Sequence, residues 1–163
     1  NILAEIKGAG MTADAHHITA PHPEGIGARN VMNNAILEAG INKEEVDYVN
    51  VHGTSTPLGD VAELKAITEV FGSHAKNINI NSTKSMTGHL LGAAGAIESI
   101  ASILAMEHGM VPPTINHTTV DENIDPELNL TLNKAQKRDI KMAMSNTFGF
   151  GGHNACVLFK KLD

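Results

Sequence analysis

The stretch from residue 88 to residue 107 constrains the fold more than any other part of this sequence, because it is apolar on nearly every side. Its spacing predicts one long helix that ends at Gly109, and a helix without a polar face is expected at the centre of a domain. Residues 92–96 are all glycine or alanine, so another backbone should pack close to them. Glu98, Ser99 and Ser102 interrupt the apolar run, which predicts a buried helix and not a membrane span.

Glu98 falls on the same helical face as Leu91, Ala94 and Ala101, so the pattern predicts that its carboxylate is buried. A buried carboxylate needs hydrogen-bond donors or a cation. We therefore expect Glu98 to have a polar or charged partner elsewhere in the chain.

Strands and helices alternate along the rest of the chain. Helical spacing covers residues 27–39 and 60–71, each followed by a glycine, with Asp60 as the expected N-cap of the second helix. The predicted strands are residues 3–11, 46–51, 78–80, 142–146 and 155–160. Strands separated by helices favour an α/β fold, and the last two strands should form a hairpin at the sheet edge.

Composition limits the class of protein. With 42% hydrophobic and 18% charged residues, the 163-residue chain fits one globular domain. A net charge of -6 argues against a nucleic-acid partner. The single cysteine fits a reducing compartment, and no signal peptide is recognised at the start of the chain, so we expect a cytoplasmic protein without a membrane partner.

Three glycine-rich loops carry the candidate functional groups. The first holds His52, Thr54 and Thr56 directly after a predicted strand, where α/β folds place functional side chains. The second holds Lys84 and His89 at the start of the long helix, where the helix dipole should keep His89 neutral.

The third loop is residues 148–152 (FGFGG), whose bare backbone N–H groups suit an oxyanion hole or a hinge. Each loop alone also fits an ordinary role: a turn before a helix, a snorkelling lysine with a core histidine, or a hairpin turn. Residues 88–95 do not match a phosphate-binding loop, and the histidines lack zinc-ligand spacing, so no metal site is predicted from the pattern.

Taken together, these strings resemble the motifs of the β-ketoacyl synthases of fatty-acid and polyketide assembly. Residues 49–60 (VNVHGTSTPLGD) resemble their first histidine motif, and residues 82–95 (STKSMTGHLLGAAG) resemble their lysine and second-histidine motif. Residues 146–152 (NTFGFGG) resemble their C-terminal gating loop, and residues 14–21 (DAHHITAP) resemble a stretch upstream. The likeness covers essentially the whole chain and is closest to the chain-elongating type that uses two histidines.

The resemblance implies a thiolase-like α/β fold of two similar halves, with residues 1–163 as the C-terminal half. This half would have one mixed β-sheet with helices packed on it and a buried central helix. The implied reaction is fatty-acid chain elongation by a decarboxylative Claisen condensation. A cysteine accepts an acyl chain from acyl carrier protein, and the carbanion left when malonyl carrier protein loses carbon dioxide attacks the thioester.

The resemblance also implies roles for individual residues. His52 and His89, both neutral, would donate hydrogen bonds to the oxygen that becomes negative on decarboxylation, and Lys84 would hold this network. Phe148 and Phe150 would gate the acyl pocket, with the Phe150 backbone N–H as an oxyanion donor.

Two further groups follow from the same resemblance. The residues matching the phosphopantetheine channel are Thr19, Thr54 and Thr56. Those matching a buried cluster, which in some members holds a sodium or potassium ion, are Asn50, Glu98, Ser145 and Asn146. No cofactor is implied: the substrates are carried on the phosphopantetheine of acyl carrier protein, and the sodium or potassium ion would be structural. The implied partners are acyl carrier protein, the N-terminal half of the same enzyme and, at full length, a second copy in a homodimer.

The departure from the family pattern is the nucleophile, which lies in the N-terminal half of these enzymes. Cys156 lies inside the last predicted strand, and we interpret it as a small core residue. The chain alone should therefore be inactive. His153 stands where many members have threonine.

Two alternatives remain open: a non-catalytic partner of the chain-length-factor type, and a ketosynthase piece of a polyketide synthase. His52, Lys84 and His89 argue against the first, because a scaffold needs no oxyanion donors.

Overall fold

The computed structural model describes residues 2–119 and 121–162. Five strands form the main sheet: β1 (Ala4–Ala13), β2 (Tyr48–Asn50), β3 (Asn79–Asn81), β6 (Met142–Gly149) and β7 (His153–Lys161). Their order is β1-β7-β6-β2-β3, with β2 parallel to both neighbours and the β1-β7-β6 part antiparallel. Two short strands, β4 (Met110–Val111) and β5 (Gln136–Lys137), form a separate antiparallel pair. The predicted mixed α/β architecture is confirmed.

Helices cover the two faces of the main sheet. They are α1 (Ile26–Ala39), α2 (Pro57–Phe71), α3 (Lys84–Thr87) and α4 (Ala94–His108), with 3-10 turns at Lys43–Glu45, Gly72–Asn77 and Leu91–Ala93. Helices α1 and α2 bury the larger apolar core on one face, and α4 packs with Tyr48, Ala143 and Phe159 on the other. The predicted helix of residues 27–39 is confirmed and ends at Gly40 in the left-handed conformation.

Helix α1 lies unusually close to β1. A Cβ atom added to Gly10 would lie 2.2 Å from the Val31 carbonyl oxygen, and one added to Gly8 would lie 2.6 Å from that of Ala35. Glycine at these positions therefore lets the helix backbone touch the strand. Cys156 is buried in the core between these elements, as expected, and burial raises the pKa of its thiol.

Two sequence-based expectations are wrong, one about the N-cap of a helix and one about which strands form the sheet edge. Helix α2 begins at Pro57 with Thr56 as its N-cap, so Asp60 lies in the first turn and is not the cap. Proline suits the first helical position because its missing N–H has no intrahelical partner there. The hairpin of β6 and β7 lies in the middle of the sheet, because β1 pairs with β7 and covers its outer edge.

The helix predicted over residues 88–107 is shorter and starts later than expected. Gly88 ends α3 with φ 73° and ψ 177°, and α4 begins only at Ala94. Leu91 lies between them with φ 51°, which breaks the helical path.

The complete burial expected of this segment is also not found, and its close packing is found only in part: a Cβ on Gly95 would lie 3.1 Å from Thr147 Oγ1. A Cβ on Gly92 would meet no described atom within 4 Å, and Ile100 and Leu104 are 52% and 42% exposed. Within this chain, α4 is therefore covered on one side only. Among residues 2–119 and 121–162, no helix is long and apolar enough to cross a membrane.

Candidate active site

The structure brings two of the predicted imidazoles together. His52 follows β2 and His89 follows α3, and their ring centroids lie 5.5 Å apart at an interplanar angle of 82°. The Phe148 ring, near the end of β6, lies 5.6 Å from the His52 ring. Three separate glycine-rich loops thus meet at one place.

Glu63 of α2 fixes the position of His52. Its buried carboxylate accepts hydrogen bonds from the backbone N–H groups of His52 and Gly53, both at 3.0 Å. The Asn146 side-chain amide donates to the same carboxylate at 3.1 Å. Sequence reasoning missed Glu63. The available signal was its spacing, because it shares the buried face of α2 with Ile67 and Val70 at i+4 and i+7.

His52 is neutral in this environment. Burial, and after it the nearby charges of Lys84 and His89, lower the pKa of His52 to about 3. The His52 Nδ1 atom is buried and has no hydrogen-bond partner among the described residues. A neutral imidazole has one N–H to donate and one nitrogen that accepts.

Lys84 and Glu98 form a buried ion pair. Lys84 begins α3, Glu98 lies on α4, and the ammonium donates to Glu98 Oε1. The burial of Glu98 and its cationic partner agree with the sequence-based expectation. Burial raises the pKa of Glu98, and the hydrogen bond and charge of Lys84 oppose that effect. The pair ties the two helices on either side of the His89 loop.

His89 is held differently from the prediction. It lies in the irregular segment between α3 and α4, so a helix N-terminus does not act on it, because the helix begins five residues later. Its Nδ1 atom accepts a hydrogen bond from the Leu91 backbone N–H at 3.1 Å. The left-handed conformation of Leu91 belongs to this turn. With Nδ1 acting as the acceptor, the ring carries its proton on Nε2, which is left free to donate.

The predicted cluster of Asn50, Glu98, Ser145 and Asn146 is buried throughout. The side chains of its members do not bond to one another; Asn50 pairs with Thr83, Asn146 with Glu63, and Glu98 with Lys84. Asn50 and Ser145 are partners in the β2–β6 strand pair. Two buried oxygens, Glu98 Oε2 and Asn146 Oδ1, have no hydrogen-bond partner among the described residues. Oxygen atoms of this kind are suitable ligands for a hard cation. Strand alternation puts Asn50 and Ser145 on the α4 side of the sheet with Glu98, so an ion fits there. The Asn146 side chain lies on the other face with Glu63.

The predicted channel residues lie on two loops. The hydroxyl groups of Thr54 and Thr56 are 3.1 Å apart at the start of α2. Thr19 lies on the loop between β1 and α1, where its backbone N–H donates to His17 Nδ1. Phe150 is 79% exposed, unlike the half-buried Phe148.

A cavity of about 350 Å³ lies behind the loop of residues 53–57. His52, Lys84 and His89 do not line it. His89 is exposed and Lys84 is buried, so the histidine site is open to solvent on the His89 side in this chain.

Solved structures with this fold define a class of protein. One is described as a type II polyketide synthase acyl-carrier protein in complex with its ketosynthase; it matches the whole chain with a TM-score of 0.96 at 37% identity, over 40% of its own length. A β-ketoacyl synthase from Burkholderia phymatum STM815 matches the whole chain with a TM-score of 0.93 at 38% identity, over 38% of its length. The fold is that of the ketosynthases.

Sequence comparison places the chain within this class. Residues 3–118 match the family model of the β-ketoacyl synthase C-terminal domain. The 3-oxoacyl-[acyl-carrier-protein] synthase 2 of Staphylococcus aureus strain COL is 54% identical over the whole chain, and that of Synechocystis is 50% identical over 98% of it. The chain therefore belongs to the β-ketoacyl synthase C-terminal domain family. It spans 39% of the length of the Staphylococcus relative and 38% of the Synechocystis relative.

Proposed function

We propose that this chain supplies the His/His/Lys part of the active site of a chain-elongating 3-oxoacyl-[acyl-carrier-protein] synthase. The observation that carries the proposal is the pairing of His52, which is held neutral, with His89, whose Nε2–H is free to donate. The substrates would be malonyl and acyl groups on the phosphopantetheine of acyl carrier protein. The reaction would be decarboxylative Claisen condensation.

Decarboxylation of a malonyl thioester places negative charge on the thioester oxygen. One N–H from His52 and the Nε2–H of His89 would donate to that oxygen. Each preorganised donor of this kind lowers the barrier by about 3 kcal/mol. Neutral rings suit this role because they can donate and still hold their own proton through the step.

Lys84 would act by position and charge. Its ammonium disfavours proton uptake by His52, and its ion pair with Glu98 holds it beside the histidines. The Phe150 backbone N–H would serve as an oxyanion donor during acyl transfer, and the Phe148 and Phe150 rings would gate the acyl pocket. Thr19, Thr54 and Thr56 would contact the phosphopantetheine arm.

A sodium or potassium ion would be held among Asn50, Glu98, Ser145 and Asn146. Its charge would add to that of Lys84 beside the buried Glu98 carboxylate. The Glu98 Oε2 atom, which has no hydrogen-bond partner among the described residues, supports this assignment.

The acyl-accepting cysteine would come from an N-terminal half of the same enzyme. The exposed apolar side chains near the site support this, since Leu91, Ile100 and Leu104 are 77%, 52% and 42% exposed. The N-terminal half would cover them, and the full-length protein would work in the cytoplasm as a homodimer. This chain alone would be inactive.

The proposal is tested on the intact enzyme by two separate assays. His89→Ala should reduce malonyl decarboxylation by about 100-fold, because one oxyanion donor is lost. Loading of the acyl group onto the cysteine should be unaffected. Equal loss of both steps would contradict the role of His89.

Two alternative functions remain to be separated from this one. The identity of 54% to the Staphylococcus synthase, against 37% to the polyketide ketosynthase, favours fatty-acid elongation. A non-catalytic scaffold is disfavoured by the paired histidines, and an enzyme that loads no acyl group at all would support that alternative.

A further inference from the structure

The loop of residues 14–25, between β1 and α1, carries three histidines and is attached to the loop of residues 150–152. The Asp14 backbone N–H donates to the Gly152 carbonyl at 2.9 Å, and the Gly151 N–H donates to the Ile18 carbonyl at 2.6 Å. The first loop therefore helps to set the conformation of the second, which carries Phe150.

Two of these histidines accept backbone hydrogen bonds through Nδ1. His17 Nδ1 accepts from the N–H groups of Thr19 and Ala20, both at 3.1 Å, and His22 Nδ1 accepts from the Glu24 N–H at 3.1 Å. A ring nitrogen can accept only while it is unprotonated. The folded loop thus requires both rings to be neutral.

A third ring adds to this requirement. His16 lies with its ring centroid 4.9 Å from that of His22, so two protonated rings would place like charges in contact. The acidic groups that face His22 already have hydrogen-bond or ion-pair partners. The Asp14 carboxylate accepts from the His22 backbone N–H and from Asn154, and the Glu24 carboxylate pairs with Lys65 of α2.

Charged groups from the other adjacent elements complete the surroundings. His153 of β7 precedes Asn154, and its ring lies beside Gly151 of the attached loop. Arg29 of α1 pairs with Glu69 of α2. Asp14 bonds only to neutral donors and keeps its charge, so it can compensate one protonated ring, and the Glu24 carboxylate is shared with Lys65.

We propose that His16, His17 and His22 form a proton-sensitive latch that positions the loop of residues 150–152. In the neutral state the latch holds the two loops together. Proton uptake by His17 or His22 removes an acceptor for backbone N–H groups, and the loop of residues 14–25 opens. The inference concerns the regulation of the proposed active site, and only its effect on turnover rests on the proposed function.

The test measures backbone amide exchange of residues 19, 20 and 24 in the intact protein, corrected for the intrinsic dependence of exchange on pH. Histidine is the side chain whose charge changes between about pH 5 and pH 8. Going from about pH 7.5 to about pH 5.5 should therefore raise the opening equilibrium by about tenfold for each ring that controls it.

The decisive variant is His17→Asn combined with His22→Asn. The asparagine carbonyl can accept from the N–H two residues on, as in an Asx turn, and does not take up a proton. This double variant should keep the loop protected at both pH values. His108→Asn, at the end of α4, is the control and should keep the wild-type response.

The proposal is overturned if wild-type opening is the same at both pH values. It is also overturned if the opening equilibrium of the double variant rises at low pH as in the wild type, or if its loop is open at both pH values. Amide exchange of the loop is measured without catalytic turnover. A failure of the latch proposal is therefore distinguishable from a failure of the proposed function, which the malonyl decarboxylation assay tests.

Discussion

At the residue scale, the buried carboxylate of Glu63 holds the backbone of His52, a candidate catalytic residue, in position. Glu63 accepts the backbone N–H groups of His52 and Gly53 together with the Asn146 amide. Burial raises its pKa to about 7, although these three hydrogen bonds work in the opposite direction. We infer that Glu63 positions His52 without touching the substrate.

Replacing Glu63 tests that positioning. In Glu63→Gln an amide NH₂ group replaces one oxygen opposite two backbone donors, so one buried N–H loses its acceptor. This should cost about 1–3 kcal/mol of unfolding free energy and reduce malonyl decarboxylation. Urea unfolding and the decarboxylation assay measure the two effects. Glu69→Gln, on the exposed face of the same helix, is the matched control and should change neither.

The charge state of His52 gives a second prediction at this scale. Its pKa of about 3 lies below the usual value for histidine, so the folded protein should exclude this proton as the pH falls from about 6.5 toward 3. Stability from His52 is therefore fully present above about pH 6.5 and is lost as the pH falls. Imidazole nitrogen chemical shifts should show a neutral His52 ring at about pH 5. A ring that titrates near 6.5 would contradict the assignment.

At the element scale, the sequence predicted the elements better than their ends. The α1 helix was predictable because its apolar spacing and Gly40 agree. The start of α4 was not, because the residues around Gly88 and Leu91 are apolar and look helical. The apolar pattern does not show the local turn in which the Leu91 N–H donates to the His89 ring two residues before it. The three loops were predictable because each follows or precedes a strand or helix. Glu63 was missed because an acidic residue within a helix is usually solvent-exposed, and its position on the buried face of α2 was not noticed.

The bend at Gly88 provides an element-scale prediction. Its φ of 73° and ψ of 177° belong to a region that is essentially restricted to glycine. Gly88→Ala should therefore lower the unfolding free energy by about 1–3 kcal/mol and disturb the His89 turn, although no described atom would clash with the added Cβ.

Thermal unfolding of the intact protein measures this effect. Gly149→Ala is the control, since its φ is not positive and its added Cβ would lie 3.8 Å from the His153 carbonyl oxygen. An equally small effect of both substitutions would show that the bend at Gly88 is not strained by a side chain.

At the scale of the whole molecule, one face of the main sheet is covered by a closed apolar core, and the other face leaves apolar side chains exposed. The face under α1 and α2 is a closed apolar core. On the opposite face, where Phe159 is buried under α4, Ile6 and Met11 of β1 are 70% and 82% exposed. With Ile100 and Leu104 of α4, they form an apolar surface that the proposed N-terminal half would cover.

A charge introduced on that surface should show whether it is covered. Ile100→Glu in the intact protein would bury an unpaired carboxylate and should cost about 3–5 kcal/mol. Leu37→Glu, at an 81% exposed position of α1, should cost little because that side chain faces solvent. Unfolding midpoints compare the two variants. Equal midpoints would mean that the α4 surface stays exposed in the intact protein.

The central claim is that His52 and His89 donate to one oxygen atom. A crystal structure of the intact protein with a non-hydrolysable malonyl thioester analogue tests this most directly. The account predicts that the thioester oxygen lies about 3 Å from one ring nitrogen of His52 and from Nε2 of His89. A thioester oxygen bound away from either ring, with that imidazole turned toward solvent, would contradict it.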